Sequence, residues 1–247
     1  MKSFVALSLA ALALANPIPV SNEPAILAER QTQTGITSTE FTRLGCRPVI
    51  FLFARGSTEI GNMGSTVGPP TSNGIKAAQG VTNVVTEGID YPALLSTNFL
   101  PGGADLGGIS EMKRLLNKAA TECPNSKIVV SGYRYGHDIL ASPQFSPLNT
   151  HTNRNKKTAK AQPSSDRAVE SMSEAVKNKI VAAVTYGDTQ RLQDRGRIPN
   201  FPEEKTLIIC NTGDLVCVGQ LTILAPHLDY KRRVPEALAF INARLAA

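Results

Sequence analysis

Ile128-Val129-Val130-Ser131-Gly132-Tyr133-Arg134-Tyr135-Gly136 is an apolar, β-branched strand running into a turn with an arginine at its tip. Gly132 and Gly136 have the spacing of a G-x-S-x-G elbow, in which small residues permit a strained strand-to-helix turn that lifts the central side chain above a sheet. The pattern calls for serine at the centre, and this chain has Arg134. One position thus bears on both the fold and the chemistry.

On either side, apolar runs bounded by turn residues alternate with segments of helical period, the pattern of a parallel sheet covered by helices. Val49 to Ala54 reads as a buried strand and Val81 to Val85 as a weaker one. Ile109, Met112, Leu115, Leu116 and Ala119 mark one face of a helix ending near Cys123-Pro124. Strands are expected at Ile128 to Ser131, Ile180 to Tyr186 and Leu207 to Cys210, and Val234, Leu238, Ile241 and Leu245 stripe a C-terminal helix. The sequence shows no internal repeat.

One segment breaks this rhythm. From Arg134 to about Asp166 the chain is rich in Asn, Thr, Ser, Pro and Lys and has neither helical nor strand period, so it reads as irregular. Such a length without structure is unusual inside a compact domain, and it begins at the altered elbow. Beyond it, Ala168 to Lys179 resumes a helical pattern with Val169, Met172 and Val176 on one face.

At the N-terminus, Lys2, the apolar run Phe4 to Ala15 and the small-residue signal Ala13-Leu14-Ala15 read as a signal peptide over residues 1–15. The run is too short to span a bilayer, and no later stretch is long and apolar enough, so no membrane insertion is expected. Residues 16–30 are either a propeptide cut after Arg30 or a disordered leader; the residues leave both open. A mature chain of residues 31–247 fits one α/β domain. Four cysteines in an exported chain suggest two disulfides, with three connectivities open. The net charge is +6, but with 5% aromatics and no Trp the chain lacks the stacking surface that would accompany nucleic-acid binding. The charge suits solubility or weak adhesion to an anionic surface. The cysteines and histidines have no zinc spacing, so no metal is expected.

Arg55-Gly56-Ser57-Thr58-Glu59 after a strand, Tyr186-Gly187-Asp188, Cys210-Asn211-Thr212-Gly213-Asp214-Leu215-Val216-Cys217 and Ala225-Pro226-His227-Leu228-Asp229-Tyr230 together resemble the fungal cutinases. The resemblance runs from about Gly35 to Tyr133 and from about Ala168 to Leu245, and fails between. It implies a secreted, extracellular serine esterase of the α/β-hydrolase fold, with a central, mostly parallel sheet flanked by helices and no cofactor, read as a monomer. The implied reaction is hydrolysis of ester bonds in cutin, the plant-cuticle polyester, through an acyl-serine. A related esterase of acetylated polysaccharide is the alternative among enzymes.

In the chemistry so implied, Asp214 and His227 supply what a Ser-His-Asp triad needs besides its serine, in the order elbow, Asp, His. An isolated His or Asp is usually structural; the motifs around these two favour catalytic positions, whereas His137 and His151 in the irregular segment read as solvated. The resemblance further implies an oxyanion hole from Ser57 and the backbone N–H of Tyr135, where the family usually has glutamine, and disulfides Cys46–Cys123 and Cys210–Cys217. Three accounts of Arg134 stand: a non-catalytic lipid- or cuticle-binding protein on the hydrolase scaffold; a substitute serine, disfavoured because Ser131, Ser142, Ser146, Ser164 and Ser165 are not on a glycine-flanked tip; and residues 134 to about 166 as a translated intron, which the segment's length, composition and abrupt start favour. As written, the chain is expected to be inactive.

Overall fold

The computed structural model describes residues 33–96, 105–133, 168–169, 172–192, 194–220 and 222–247. Five strands, β1 (Val49–Ala54), β2 (Val84–Gly88), β3 (Lys127–Tyr133), β4 (Ile180–Tyr186) and β5 (Thr206–Ile209), form one sheet in the order β2-β1-β3-β4-β5. Every pairing is parallel. Buried on both faces, β1 is the continuous apolar run Val-Ile-Phe-Leu-Phe-Ala, as a central parallel strand requires.

Helices cover both faces. On one side α3 (Leu106–Glu122) and α4 (Glu174–Lys179) pack through Ile109, Met112, Leu115, Leu116 and Val176 against Ile50, Leu52, Ile128 and Val130. On the other, α2 (Gly68–Gln79) and α6 (Val234–Ala246) place Ile75, Val234, Ala237, Ile241 and Leu245 on Phe51, Phe53, Val129 and Val184. Two short helices, α1 (Glu40–Leu44) and α5 (Ala225–Leu228), also lie among the described residues. The Asp105 side chain caps α3 by accepting from the Gly108 N–H at 2.8 Å, satisfying one of the helix's orphan donors. Cys46–Cys123 ties the loop before β1 to the end of α3; the chain-entropy model values a loop closed over 77 residues at about 4–5 kcal/mol.

The structure corrects two readings of the sequence and shows a helix that the sequence hides. The strand expected over Val81 to Val85 begins only at Val84, after a 3₁₀ turn at Val81–Asn83, and continues to Gly88. Its second half carries Thr86 and Glu87, both buried, whose polarity hides a strand from an apolar-run reading. The helix expected over Ala168 to Lys179 is helical only from Glu174. Ala168 and Val169 nevertheless join the same core cluster as Met172 and Val176. Helix α2 gave no apolar signal because Gly68, Pro69, Pro70 and Gly74 give it the composition of a turn. Gly74 is required by packing: a Cβ there would stand 2.2 Å from Cδ1 of Leu238 on α6.

The strand order reverses direction between β1 and β3, and the crevice outside the carboxyl ends of the strands at such a switch point is where open α/β sheets place their ligands. Phe53 is opposite Ser131 and Ala54 opposite Gly132, so the loop after β1 leaves the sheet beside the turn after β3.

Candidate active site

Beyond β1 the Arg55–Glu59 loop is held from several directions. Arg55 donates from Nε to the Glu59 carbonyl at 2.9 Å and from Nη2 to the Tyr91 carbonyl at 2.6 Å, while its own carbonyl accepts the Tyr91 hydroxyl. The Glu59 carboxylate accepts from the N–H groups of Gly56, Ser65 and Thr66. Within this frame Thr58 has φ +67° and Ala93 φ +50°, both left-handed, and the Thr58 N–H donates to the Ala93 carbonyl at 2.9 Å. Non-glycine residues hold that conformation only where their surroundings over-determine it, and such strain clusters at functional sites. Ser57, between these fixed points, is buried.

The other half of the site grows from the ends of β4 and β5. Gly187 turns the chain out of β4 with φ +63°, and its N–H donates to the Ile209 carbonyl at 2.9 Å. After β5, the disulfide Cys210–Cys217 closes a loop of sequence separation 7 that carries Asp214. His227 sits on α5, and its ring Nδ1 is 3.0 Å and 2.9 Å from the two carboxylate oxygens of Asp214. Neither side chain has any exposed surface. The Val216 N–H donates to Asp214 Oδ1 at 3.0 Å and the Tyr230 hydroxyl to Oδ2. Burial pushes the Asp214 carboxyl up, but the hydrogen bonds from His227 and Tyr230, the charge of the imidazolium and the Val216 amide together hold it below its ordinary value.

Asn211 locks the histidine segment to the aspartate loop. Its side-chain N–H₂ donates to the carbonyls of Pro226 (2.7 Å) and Asp229 (3.0 Å), on either side of His227, and Arg233 donates to its Oδ1 at 3.0 Å. Tyr133, the last residue of β3, donates from its hydroxyl to the His227 carbonyl at 3.3 Å. The strand that leads into the elbow therefore touches the histidine backbone directly.

The structure thus brings Asp214 and His227 together and sets Ser57 in a braced loop that likewise follows the carboxyl end of its strand. Arg134, Tyr135, His137, His151, Ser142, Ser146, Ser164 and Ser165 lie outside the described residues. Ser131 is fully buried within β3, as a strand residue rather than an exposed turn tip. All four cysteines are bonded, as Cys46–Cys123 and Cys210–Cys217. Sequence reasoning gives Tyr230 no role beyond its place in the Ala225–Tyr230 motif; its position three residues after His227 is the signal that brings it to the same site. Among the described residues no group of three or more His, Cys, Asp or Glu is placed to hold a metal ion, and no helix is long and apolar enough to cross a membrane. Cavities of about 700 Å³ beside Asp194, Ile198 and Phe201 and about 530 Å³ beside Asn62, Glu87 and Arg114 include neither Ser57 nor the Asp214–His227 pair.

The family model described as Cutinase matches residues 45–245. Cutinase CUT2 of Pyricularia oryzae is 43% identical over 220 residues, covering 89% of this chain and 91% of that protein. Probable cutinase 5 of Aspergillus terreus is 38% identical over 239 residues, covering 96% and 94%. Among solved structures, Trichoderma reesei cutinase in complex with a C11Y4 phosphonate inhibitor superposes with a TM-score of 0.67 at 27% identity, covering 91% of this chain and 86% of that one.

Proposed function

The chain belongs to the cutinase family of serine ester hydrolases, and on that premise we propose that Asp214 and His227 are the acid–base pair of a cutin-type polyester hydrolase whose nucleophile belongs at position 134. The observation that carries this reading is the fully buried contact in which His227 Nδ1 faces both oxygens of Asp214. A carboxylate only accepts hydrogen bonds, so Nδ1 holds the ring proton and Nε2 is the nitrogen that takes a proton from the nucleophile and later returns it to the leaving alcohol. Asp214 fixes that tautomer and stabilises the imidazolium as it forms. Ser57 and the backbone N–H of Tyr135 are the proposed oxyanion donors, each worth about 3–4 kcal/mol in the transition state.

The reaction proceeds in two steps. A serine oxygen attacks the ester carbonyl as its proton passes to His227, the alcohol leaves with that proton, and an acyl-serine remains. Water, deprotonated by the same histidine, then releases the acid. Arg134 can do neither step, because a guanidinium is always protonated and has no nucleophilic oxygen. We therefore infer that the protein as secreted lacks residues 134 to about 166 and has a serine at the elbow, with residues 1–15 removed as a signal peptide. A second reading, favoured by Arg134 itself, is a non-catalytic protein that keeps the scaffold and binds lipid or cuticle.

Sequencing the transcript across this segment, with mass spectrometry of the secreted protein, separates the two. A tryptic peptide from within Tyr135 to Arg154 overturns the intron account and leaves the non-catalytic reading. In parallel, the chain carrying Arg134 should give no burst from a short p-nitrophenyl ester and no labelling by a serine-directed phosphonate. A version with serine in place of residues 134–166 should give both, and should lose the burst on His227→Ala. Labelling of the Arg134 chain would mean that another serine acts.

A further inference from the structure

We propose that Tyr230 is a positioning residue that fixes the plane of the Asp214 carboxylate, so that both of its oxygens face His227. The inference rests on the reading of Asp214 and His227 as the working pair, and it concerns a side chain outside that pair whose hydroxyl donates to Asp214. Tyr230 is fully buried, and besides the disulfide sulfur of Cys217 at 3.6 Å, a weak acceptor with no hydrogen to give, its hydroxyl has two polar neighbours in fixed roles. The Asn211 backbone N–H points at the Tyr230 oxygen at 3.0 Å, and a backbone N–H can only donate. The tyrosine oxygen must therefore accept there and send its own proton to Asp214 Oδ2. A peptide group of the aspartate loop thus dictates the orientation of a hydroxyl that arrives from the histidine segment.

The consequence for Asp214 is geometric. The Val216 N–H pins Oδ1 and Tyr230 pins Oδ2, one donor on each oxygen, and His227 Nδ1 lies between them. With one donor alone the carboxylate could turn about its Cβ–Cγ bond and leave Nδ1 facing a single oxygen; with both it cannot. The ring of Tyr230 is held too: it stands edge-on to His227 (centroids 6.3 Å, 85°), Tyr133 (5.8 Å, 63°) and Tyr186 (6.4 Å, 78°). Burial and the adjacent Asp214 carboxylate both keep the phenol protonated, so it remains a donor across the working pH range.

The test uses the full chain as it stands and reads the His227 Nδ1 proton by NMR at neutral pH, assigned among the three histidines by its loss in His227→Gln. In Tyr230→Phe, which keeps the ring and removes the hydroxyl, the Nδ1 proton should shift and exchange with solvent at least about tenfold faster, the scale set by losing a hydrogen bond to a charged group. Tyr133→Phe is the control, because it removes a buried hydroxyl bonded to the His227 carbonyl but not to Asp214. It should cost comparable stability and leave the Nδ1 proton unchanged. Equal behaviour of the two variants overturns the positioning role. Should Tyr230→Phe fail to fold, a fluorinated tyrosine at 230, a stronger donor of the same shape, must move the Nδ1 resonance, and an unmoved resonance overturns it equally. Asp214→Asn separates this inference from the one beneath it. If that variant leaves the proton unchanged, the pairing of Asp214 with His227 fails; if only Tyr230→Phe leaves it unchanged, the pairing stands and the role of Tyr230 falls.

Discussion

A Cβ added to Gly187 would stand 3.0 Å from Cε2 and 3.2 Å from Cζ of Tyr230, and 3.4 Å from Cε1 of His227. The glycine of the Tyr-Gly-Asp motif is therefore shaped by the site, quite apart from the turn it makes at φ +63°. Gly187→Ala should lose about 1–2 kcal/mol from the left-handed backbone and the crowded ring together. It should also displace the His227 ring resonances, whereas a purely backbone effect would lower the melting temperature and leave those resonances in place.

Gly74 makes the opposite demand on a helix. In a helix interior Gly→Ala ordinarily gains up to about 1 kcal/mol of propensity, but here the added methyl meets Leu238 across the α2–α6 contact. Gly74→Ala should be destabilising in the native background and stabilising in Leu238→Ala. Chemical denaturation of the four proteins of that cycle measures the coupling, and a stabilising Gly74→Ala with Leu238 intact would refute the contact.

Asp214 predicts an acid-sensitive component of stability. Its folded carboxyl titrates below its ordinary 3.8, so the stability it contributes is complete above that value and is lost as the pH falls through the lower, folded one. Asp214→Asn should melt lower than the native chain at pH 6, by about 1–3 kcal/mol in stability for a damaged buried hydrogen-bond set. The gap should begin to narrow only below about pH 4 and should close as the pH falls through the depressed folded value. A gap that persists unchanged to pH 2 would contradict the assignment.

Glu87 works with the reverse sign. Burial pushes its carboxyl above the ordinary 4.5, although the Thr42 N–H and hydroxyl both donate to it. Its favourable contribution is complete below that ordinary value and is lost as the pH rises through the folded one. A glutamine can keep both contacts, because the Thr42 hydroxyl can turn to accept. Glu87→Gln should therefore match the native chain at pH 4 and melt above it at pH 7, as read by calorimetry; a variant that melts lower at pH 7 would mean that the ionised carboxylate is the favoured form.

Burial on both faces made the strands legible. The apolar runs Val49–Ala54 and Ile180–Tyr186 stand in the structure where the sequence places them, because these two strands, covered on both sides, are apolar at every position but Thr185. Where function or packing places polar or small residues inside an element, the sequence misleads. Thr86 hydrogen-bonds Ser72, Glu87 hydrogen-bonds Thr42, and Gly74 makes room for Leu238, so the apolar pattern misplaces β2 and hides α2. The end of Ala168 to Lys179 nearer the irregular segment kept its burial but not its helix. In the candidate site, only the motifs around Asp214 and His227 single out these two residues, and the structure pairs them. No periodicity in the chain could indicate that the proton of Tyr230 is aimed at Asp214, because the Asn211 N–H that orients it sits 19 residues away.

The Asp214–His227 pair owes almost all of its support to chain beyond Gly187: the Cys210–Cys217 bridge, Asn211, the Val216 amide and Tyr230. The loop around Ser57 is braced by its own neighbours, Glu59 and Tyr91, before the elbow is reached. Both clusters are therefore held by described residues outside 134–166, and Tyr133, at the end of β3, is the contact that links the approach to the elbow with His227.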